Sequence, residues 1–398
     1  MSTQAPAIAP PAEPRSYGFT LPELMRYFLR LGSAGFGGPI ALVGYMQRDL
    51  VEARGWFTEE EYRQGLALAQ TMPGPLAAQL AMWFGFLRAG TLGAAAVAVP
   101  FVLPPCLLVT AVAVIYAKYQ GLAAVHEIFL GVGPAVLAII AIAAYKLART
   151  TNKTDPVLWI IAAVVCTVTA IAKTEIVWLF LAAGVFGILY YGGGLPRRRP
   201  PGTLNSISPV GLVATVKGFA WTGATSAGAM SLFFAKASAF TFGSGLAIVP
   251  FLHQGLVHDH HWLTEQQFVD AVAMGLISPG PVVIMATFAG YLIAGITGAL
   301  AATAAVFLPV YLFVIVPGRY LRRHGQHSRL QGFIKGATAA ATGAIAGAAI
   351  VIGGQVISRP GSVIIAVIAL GLLLQRKRKI PEPALVAAAA LAGLLAFS

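Results

Sequence analysis

The sequence predicts an all-α polytopic membrane protein built from two inverted-topology repeats, each with about five crossings and one broken, re-entrant helical hairpin. Three observations predict it: a composition too apolar for a water-facing surface, motifs that recur at one offset, and loop charges that alternate between the copies.

Of the 398 residues, 58% are hydrophobic and only 10% are charged, whereas soluble domains carry roughly 25% charged residues. Apolar runs such as 156–172 and 176–191 recur along the chain and leave no room for a sizeable soluble domain. The 44 glycines and 25 prolines fit the same class, because both are commoner in transmembrane helices than in soluble ones. The formal charge of +13 is assigned mainly to cytoplasmic loops and anionic membrane lipid, with attraction of a substrate as a further contribution and no nucleic acid as partner. Cys106 and Cys166 lie in apolar stretches and read as small core residues, not as a disulfide or a metal site. Residues 1–20, rich in Pro and Ala, read as a disordered tail lacking the pattern of a cleaved signal.

The repeat is read from matched motifs. Phe36-Gly37-Gly38 returns as Phe242-Gly243-Ser244, and Trp56-Phe57-Thr58-Glu59 returns as Trp262-Leu263-Thr264-Glu265, both displaced by 206. Pro73-Gly74-Pro75 returns as Pro279-Gly280-Pro281 at the same offset, after which Ala89-Gly90 matches Ala294-Gly295 at 205. Wherever one copy has a basic loop, the other does not. Residues 46–63 contain Arg48, Arg54 and Arg63, whereas 252–269 contain no Lys or Arg; the turn near Lys173 has one cation, whereas its counterpart has Arg376, Lys377, Arg378 and Lys379. Cytoplasmic loops collect Lys and Arg, so equivalent loops belong on opposite sides and the repeats are inverted.

An inverted repeat needs an odd number of crossings. In the first half these fall near 24–46, 92–116, 127–149, 156–172 and 176–193, with 64–90 as the re-entrant hairpin. The organisation is a first transmembrane repeat over 21–193, a basic cytoplasmic linker over 194–217 and a second repeat over 218–398.

Pro-Gly-Pro cannot continue a helix, since the prolines remove donors and the glycine permits a sharp turn. Irregular backbone at membrane depth survives only where it is buried in protein or lines a wet cavity. New helices should therefore begin at Leu76 and Val282, each with free amides and a partial positive charge at its start. Two such starts, related by the pseudo-twofold, suit a tetrahedral dianion, which makes Pro73, Gly74, Pro75, Pro279, Gly280 and Pro281 candidate substrate-binding residues. The alternative is a pair of packing kinks. Gly37, Gly38, Gly243 and Ser244 interrupt the first segment of each half, either to bring backbone close to the same site or to let helices pack tightly.

Arg30 and Lys236 match at the 206 offset and offer cations to an anion, with snorkelling to an interface as the rival reading. Gln79 and Ser278 flank the two breaks and could hydrogen-bond an oxyanion or tie helices together. Asp270, matched to Gln64, reads as an interfacial acid, with a proton-carrying role as the alternative. His253, His258, His260 and His261 read as a solvated outer loop rather than a metal site. No catalytic triad, metal-spaced cysteines or phosphate-cradling loop appears, so neither enzymatic activity nor a cofactor is expected.

Phe36-Gly37-Gly38-Pro39, Trp56, Met72-Pro73-Gly74-Pro75 and Phe86-Leu87-Arg88-Ala89-Gly90 resemble the first half of bacterial chromate ion transporters. Phe240-Thr241-Phe242-Gly243, Trp262, Ser278-Pro279-Gly280-Pro281 and Ala294-Gly295 are similar to the second half of that family in its two-domain form. The resemblance covers nearly all the chain after residue 20. It implies export of chromate across a bacterial inner membrane by a multi-pass protein, with the Gly-Gly-Pro and Pro-Gly-Pro positions functional. Alternating access around a midplane site is the expected mechanism. Sulfate or another oxyanion is the alternative substrate, and an enzyme acting on lipid phosphate is the reading from another class. A homodimer is one assembly the sequence permits.

Overall fold

The computed structural model describes residues 17–36, 38–119, 123–172, 177–192, 226–241, 245–324, 328–357, 359–375 and 381–397. The linker 194–217, Gly37, Gly243 and Ser244 lie outside the described residues. Among the described residues all regular structure is helical. The first half contains α1 Leu21–Ala34, α2 Gly38–Met46 with a π-helical turn Gln47–Ala53, α3 Glu59–Thr71, α4 Leu76–Tyr119, α5 Ala123–Asn152, α6 Pro156–Ala172 and α7 Val177–Tyr191. The second half repeats this order. It has α8 Ser226–Ala239, α9 Ile248–His253 with a π-helical turn Gln254–Asp259, α10 Glu265–Ile277, a 3₁₀ turn Val282–Ile284, α11 Met285–His324, α12 Ser328–Val356, α13 Pro360–Leu374 and α14 Glu382–Phe397.

The duplicated Trp-x-Thr-Glu motif is a helix-start signal. Thr58 Oγ1 accepts from the Glu61 amide at 3.2 Å while Glu61 Oε2 accepts from the Thr58 amide at 2.7 Å. Thr264 and Gln267 repeat this reciprocal box at 3.2 and 3.0 Å. Each box satisfies two amides that a helix start leaves unpaired, and so sets the first arm of each broken hairpin.

The second arm ends at a sharp bend. Gly90 takes φ 63°, ψ −147° and Gly295 takes φ 64°, ψ −150°, a region open essentially to glycine alone. The bend folds the arm back so that Gly85 faces the backbone of Gly93, and Gly290 faces that of Gly298. There is no room for a side chain at these contacts, and the segment before each bend therefore packs directly on the helix that follows it.

The two halves exchange their last helices. α6 and α7 pack on α12 of the second half, while α13 and α14 pack on α5 of the first. The contacts are duplicated in detail: Gly131 lies against the Ala389 carbonyl, and Gly336 lies against that of Ala183. Small residues allow this approach where lipid, as apolar as the side chains, supplies no hydrophobic drive between helices.

Among the described residues, by length and composition alone, four helices can cross a membrane: Leu76–Tyr119, Leu130–Asn152, Val282–Gly318 and Gln331–Gly354. Four shorter apolar helices accompany them. The 15–17 residues of α6, α7 and α13 span about 23–26 Å, so they fit the ~30 Å hydrocarbon core only with local thinning. Large apolar side chains such as Leu92, Ile171 and Leu395 are largely exposed, as a lipid-facing surface requires. The chain is a multi-pass membrane protein.

Candidate functional site

Four interruptions of helix converge between the halves. The Gly74 amide donates to the Thr241 carbonyl at 2.6 Å, and the Gly280 amide donates to the Gly35 carbonyl at 3.0 Å. Residues 35 and 241, like 74 and 280, are equivalent at the offset of 206. Each Pro-Gly-Pro turn is therefore held by the helix break of the other half. Gly74 has φ 130° and Gly280 has φ 87°, and all six residues of the two turns are buried. A side chain at Gly245 would touch both Pro75 Cβ at 3.9 Å and Val282 Cβ at 3.7 Å, so the two turns lie close together.

This geometry changes which amides remain for an anion. Gly74 and Gly280 are candidate substrate-binding residues by sequence, but buried amides must be paired, and these two are spent on carbonyls of the opposite half. α4 begins at Leu76 as expected, and its first internal bond runs from the Gln79 amide to the Pro75 carbonyl. The amides of Leu76, Ala77 and Ala78 precede that bond and have no partner within the helix. In the second half the start is tighter. The Ile284 amide already bonds the Pro281 carbonyl at 3.0 Å, which leaves Val282 and Val283.

Gln79 is fully buried beside its turn. Its Nε2 donates to the Pro73 carbonyl at 2.7 Å, and its Oε1 has no hydrogen-bond partner among the described residues. Ser278 is spent differently, donating to the Gly275 carbonyl of its own helix at 3.3 Å.

Arg30 and Lys236 are both exposed, but their surroundings differ. Arg30 lines an open cavity of about 320 Å³ together with Tyr27, Gly35, Arg48, Asp49 and Arg54. The cavity thus reaches Gly35, whose carbonyl holds the Gly280 turn. Arg48 is paired to Asp49 at 2.7 Å, and that carboxylate raises the guanidinium pKa above its ordinary value. Arg54 lies over the rings of Tyr27 and Trp56. In the second half the matching corner is built from different residues. Phe233, equivalent to Tyr27, is in close contact with Gly255, equivalent to Asp49, and Gln254 and His260 replace Arg48 and Arg54. The basic residues in 46–63 entered the sequence reading only as topology signals, so the roles of Arg48 and Arg54 were missed.

Two further expectations are corrected. Asp270 is not interfacial: it is 1% exposed, accepting from the Tyr116 hydroxyl at 2.6 Å and from Gln266 Nε2 at 2.8 Å. The histidine string is not uniformly solvated. His260 and His261 are exposed, but His253 is buried and bonded to Glu265 at 2.7 Å.

The profile of the chromate transporter family matches residues 22–188 and again residues 228–394. The chain belongs to the chromate transporter family. The two matches begin and end 206 residues apart, the offset read from the motifs. The chain is 48% identical to the chromate transport protein of Cupriavidus metallidurans over 379 residues, covering 95% of this chain and 94% of that protein. It is 45% identical to the probable chromate transport protein of Synechococcus elongatus over 386 residues, 96% of both chains. To the chromate transport protein of Pseudomonas aeruginosa it is 32% identical over 401 residues, 96% of this chain and 93% of that protein. No solved structure matches the chain. Family membership makes this chromate-transporter homologue a transporter rather than an enzyme, in its two-domain form.

Proposed function

We propose that this transporter exports chromate from the cytoplasm across a bacterial inner membrane by alternating access of its two repeats, 21–193 and 218–398. The observation that carries the proposal is the crossed pair of turns, Gly74 to Thr241 and Gly280 to Gly35. Moving a dianion out of water without partners costs tens of kcal/mol, so its path requires several fixed donors. Helix starts supply amides and a partial positive charge at no cost in net side-chain charge. The free amides of α4 begin one residue after a turn that the other half holds in place. A rocking of one half against the other would therefore move the donors and their supports together.

The arginine cavity supports the export direction. Residues 46–63 are the basic, cytoplasmic side by the loop-charge rule, and Arg30, Arg48 and Arg54 collect there beside Gly35. An open basic cavity raises the local concentration of an anion, and the second half has no matching cluster, so the protein loads from the cytoplasm.

The test is flux of chromate in proteoliposomes, comparing wild type with Pro73→Ala/Pro75→Ala and Pro279→Ala/Pro281→Ala. Loss of flux with retained folding is expected for both; unchanged flux in either removes the turns from the path. Sulfate, a dianion of like shape, would satisfy the same donors, and competition between the two anions for flux separates the readings.

A further inference from the structure

The π-helical turn Gln254–Asp259 does something an α-helix could not. In an α-helix, residues five apart point about 140° away from each other. Here the His260 amide bonds the Gly255 carbonyl, five residues back, at 3.0 Å, and the widened turn brings His258 onto the face of His253. Their rings meet edge to face at 4.9 Å. The capping box at Thr264 then starts α10 so that Glu265, its first residue, faces both. His253 Nε2 lies 2.7 Å from one Glu265 oxygen and His258 Nε2 lies 3.6 Å from the other. All three ligand atoms fall within 4.8 Å of one another.

We propose that His253, His258 and Glu265 bind a divalent first-row metal ion of the zinc class. Two imidazole nitrogens and one carboxylate, with water in the fourth position, are a ligand set that zinc accepts. Tetrahedral coordination at ~2.05 Å places ligand atoms about 3.3 Å apart, a modest contraction from three candidate atoms that already lie within 4.8 Å of one another. The rings are already fixed: His253 is 4% exposed and packs against Phe268 at 5.0 Å.

A plain hydrogen bond between His253 and Glu265 accounts for only part of this. His258 Nε2 is buried and has no hydrogen-bond partner among the described residues, an arrangement that carries a desolvation cost. A metal ion uses that nitrogen. The set has no twin in the first half, where Gln47, Glu52 and Glu59 occupy the equivalent positions at the offset of 206. The site is therefore distinct from the symmetric anion path, and its Glu265 carboxylate repels an oxyanion.

The test uses full-length protein purified in detergent without a polyhistidine tag and stripped with a chelator. Titration with Zn²⁺ by calorimetry, and with Co²⁺ by absorption, is expected to show one saturable equivalent. Even a lost outer-sphere partner costs a metal site 10- to 100-fold, so His253→Ala and His258→Ala should each weaken binding by more than about 100-fold. Glu265→Gln should weaken it while retaining a hydrogen bond to His253. His260→Ala, an exposed neighbour, should bind as wild type. If the His258→Ala protein cannot be purified, His258→Gln replaces it. Wild type that takes up no zinc, or binding that survives substitution of both His253 and His258, overturns the proposal. Neither result bears on chromate flux.

Discussion

Tyr116 donates its hydroxyl to the Asp270 carboxylate at 2.6 Å, tying the far end of α4 to α10 of the second half. The pair spans 154 residues of sequence and is buried. Gln266 supplies the second donor from one turn earlier in α10. Both donors matter, because a buried acid loses hydration that hydrogen bonds must replace.

Removing the tyrosine hydroxyl should therefore lower stability. Tyr116→Phe leaves a buried acceptor short of one donor, a loss of ~1–3 kcal/mol. Asp270→Asn, which keeps an acceptor for Tyr116, should cost less than Asp270→Ala. Thermal inactivation of the purified protein orders the three variants. Equal effects from Asp270→Asn and Asp270→Ala would show that the hydrogen bonds contribute little.

The glycines of the two turns are expected to tolerate no side chain. Gly74→Ala forces a backbone at φ 130° on an L-residue and places the new carbon 3.0 Å from Gln79 Nε2 and 3.2 Å from Val310. Gly280→Ala meets Pro105 Cγ at 3.1 Å with φ 87°. Backbone strain of this kind costs ~1–3 kcal/mol by itself, and a rigid proline cannot move aside. Both variants should lose chromate flux in vesicles, and Gly280→Ala should also reduce the yield of folded protein.

The bends separate strain from crowding. A side chain at Gly90 or Gly295 would meet nothing within 4 Å, so Gly90→Ala and Gly295→Ala should each cost only the ~1–3 kcal/mol of an unfavourable backbone. At Gly85 and Gly290 the neighbour is backbone carbonyl, and an added methyl must pry apart the two helical segments on either side of the bend. Gly85→Ala should therefore destabilise more than Gly90→Ala in the same thermal assay.

These contrasts show which features a sequence can disclose. The break at Pro73-Gly74-Pro75, the helix start at Leu76 and the repeat itself were legible, because proline, glycine and capping residues act locally. The crossing of the turns was not. That the Gly74 amide pairs with Thr241 depends on how two halves dock, and nothing near residue 74 encodes it. The burial of Asp270 was likewise hidden, since its partner Tyr116 belongs to the other half. His253 and His258 read as solvated loop because the string falls in a predicted outer loop with no match in the first half, and a π-turn leaves no mark on a 3.6-residue periodicity.

The last prediction concerns how the anion arrives. Of the three cavity arginines, Arg48 is paired to Asp49 and Arg54 is stacked on rings, whereas Arg30 has no ion-pair partner among the described residues. Arg30 is thus the cation with charge to offer, and Arg30→Gln should raise the half-saturating chromate concentration about tenfold, the low end of what focused charge contributes to association. Because exposed charges act through solvent, the wild-type advantage should shrink as ionic strength rises and the Debye length falls from ~10 Å at 0.1 M to ~3 Å at 1 M. Lys236→Gln removes the equivalent cation from a corner that has Gln254 and His260 in place of Arg48 and Arg54, so uptake from the cytoplasmic side should change little. Inside-out vesicles with chromate supplied outside measure both. An equal loss in the two variants would mean that the halves load alike and that the asymmetric cavity does not set direction.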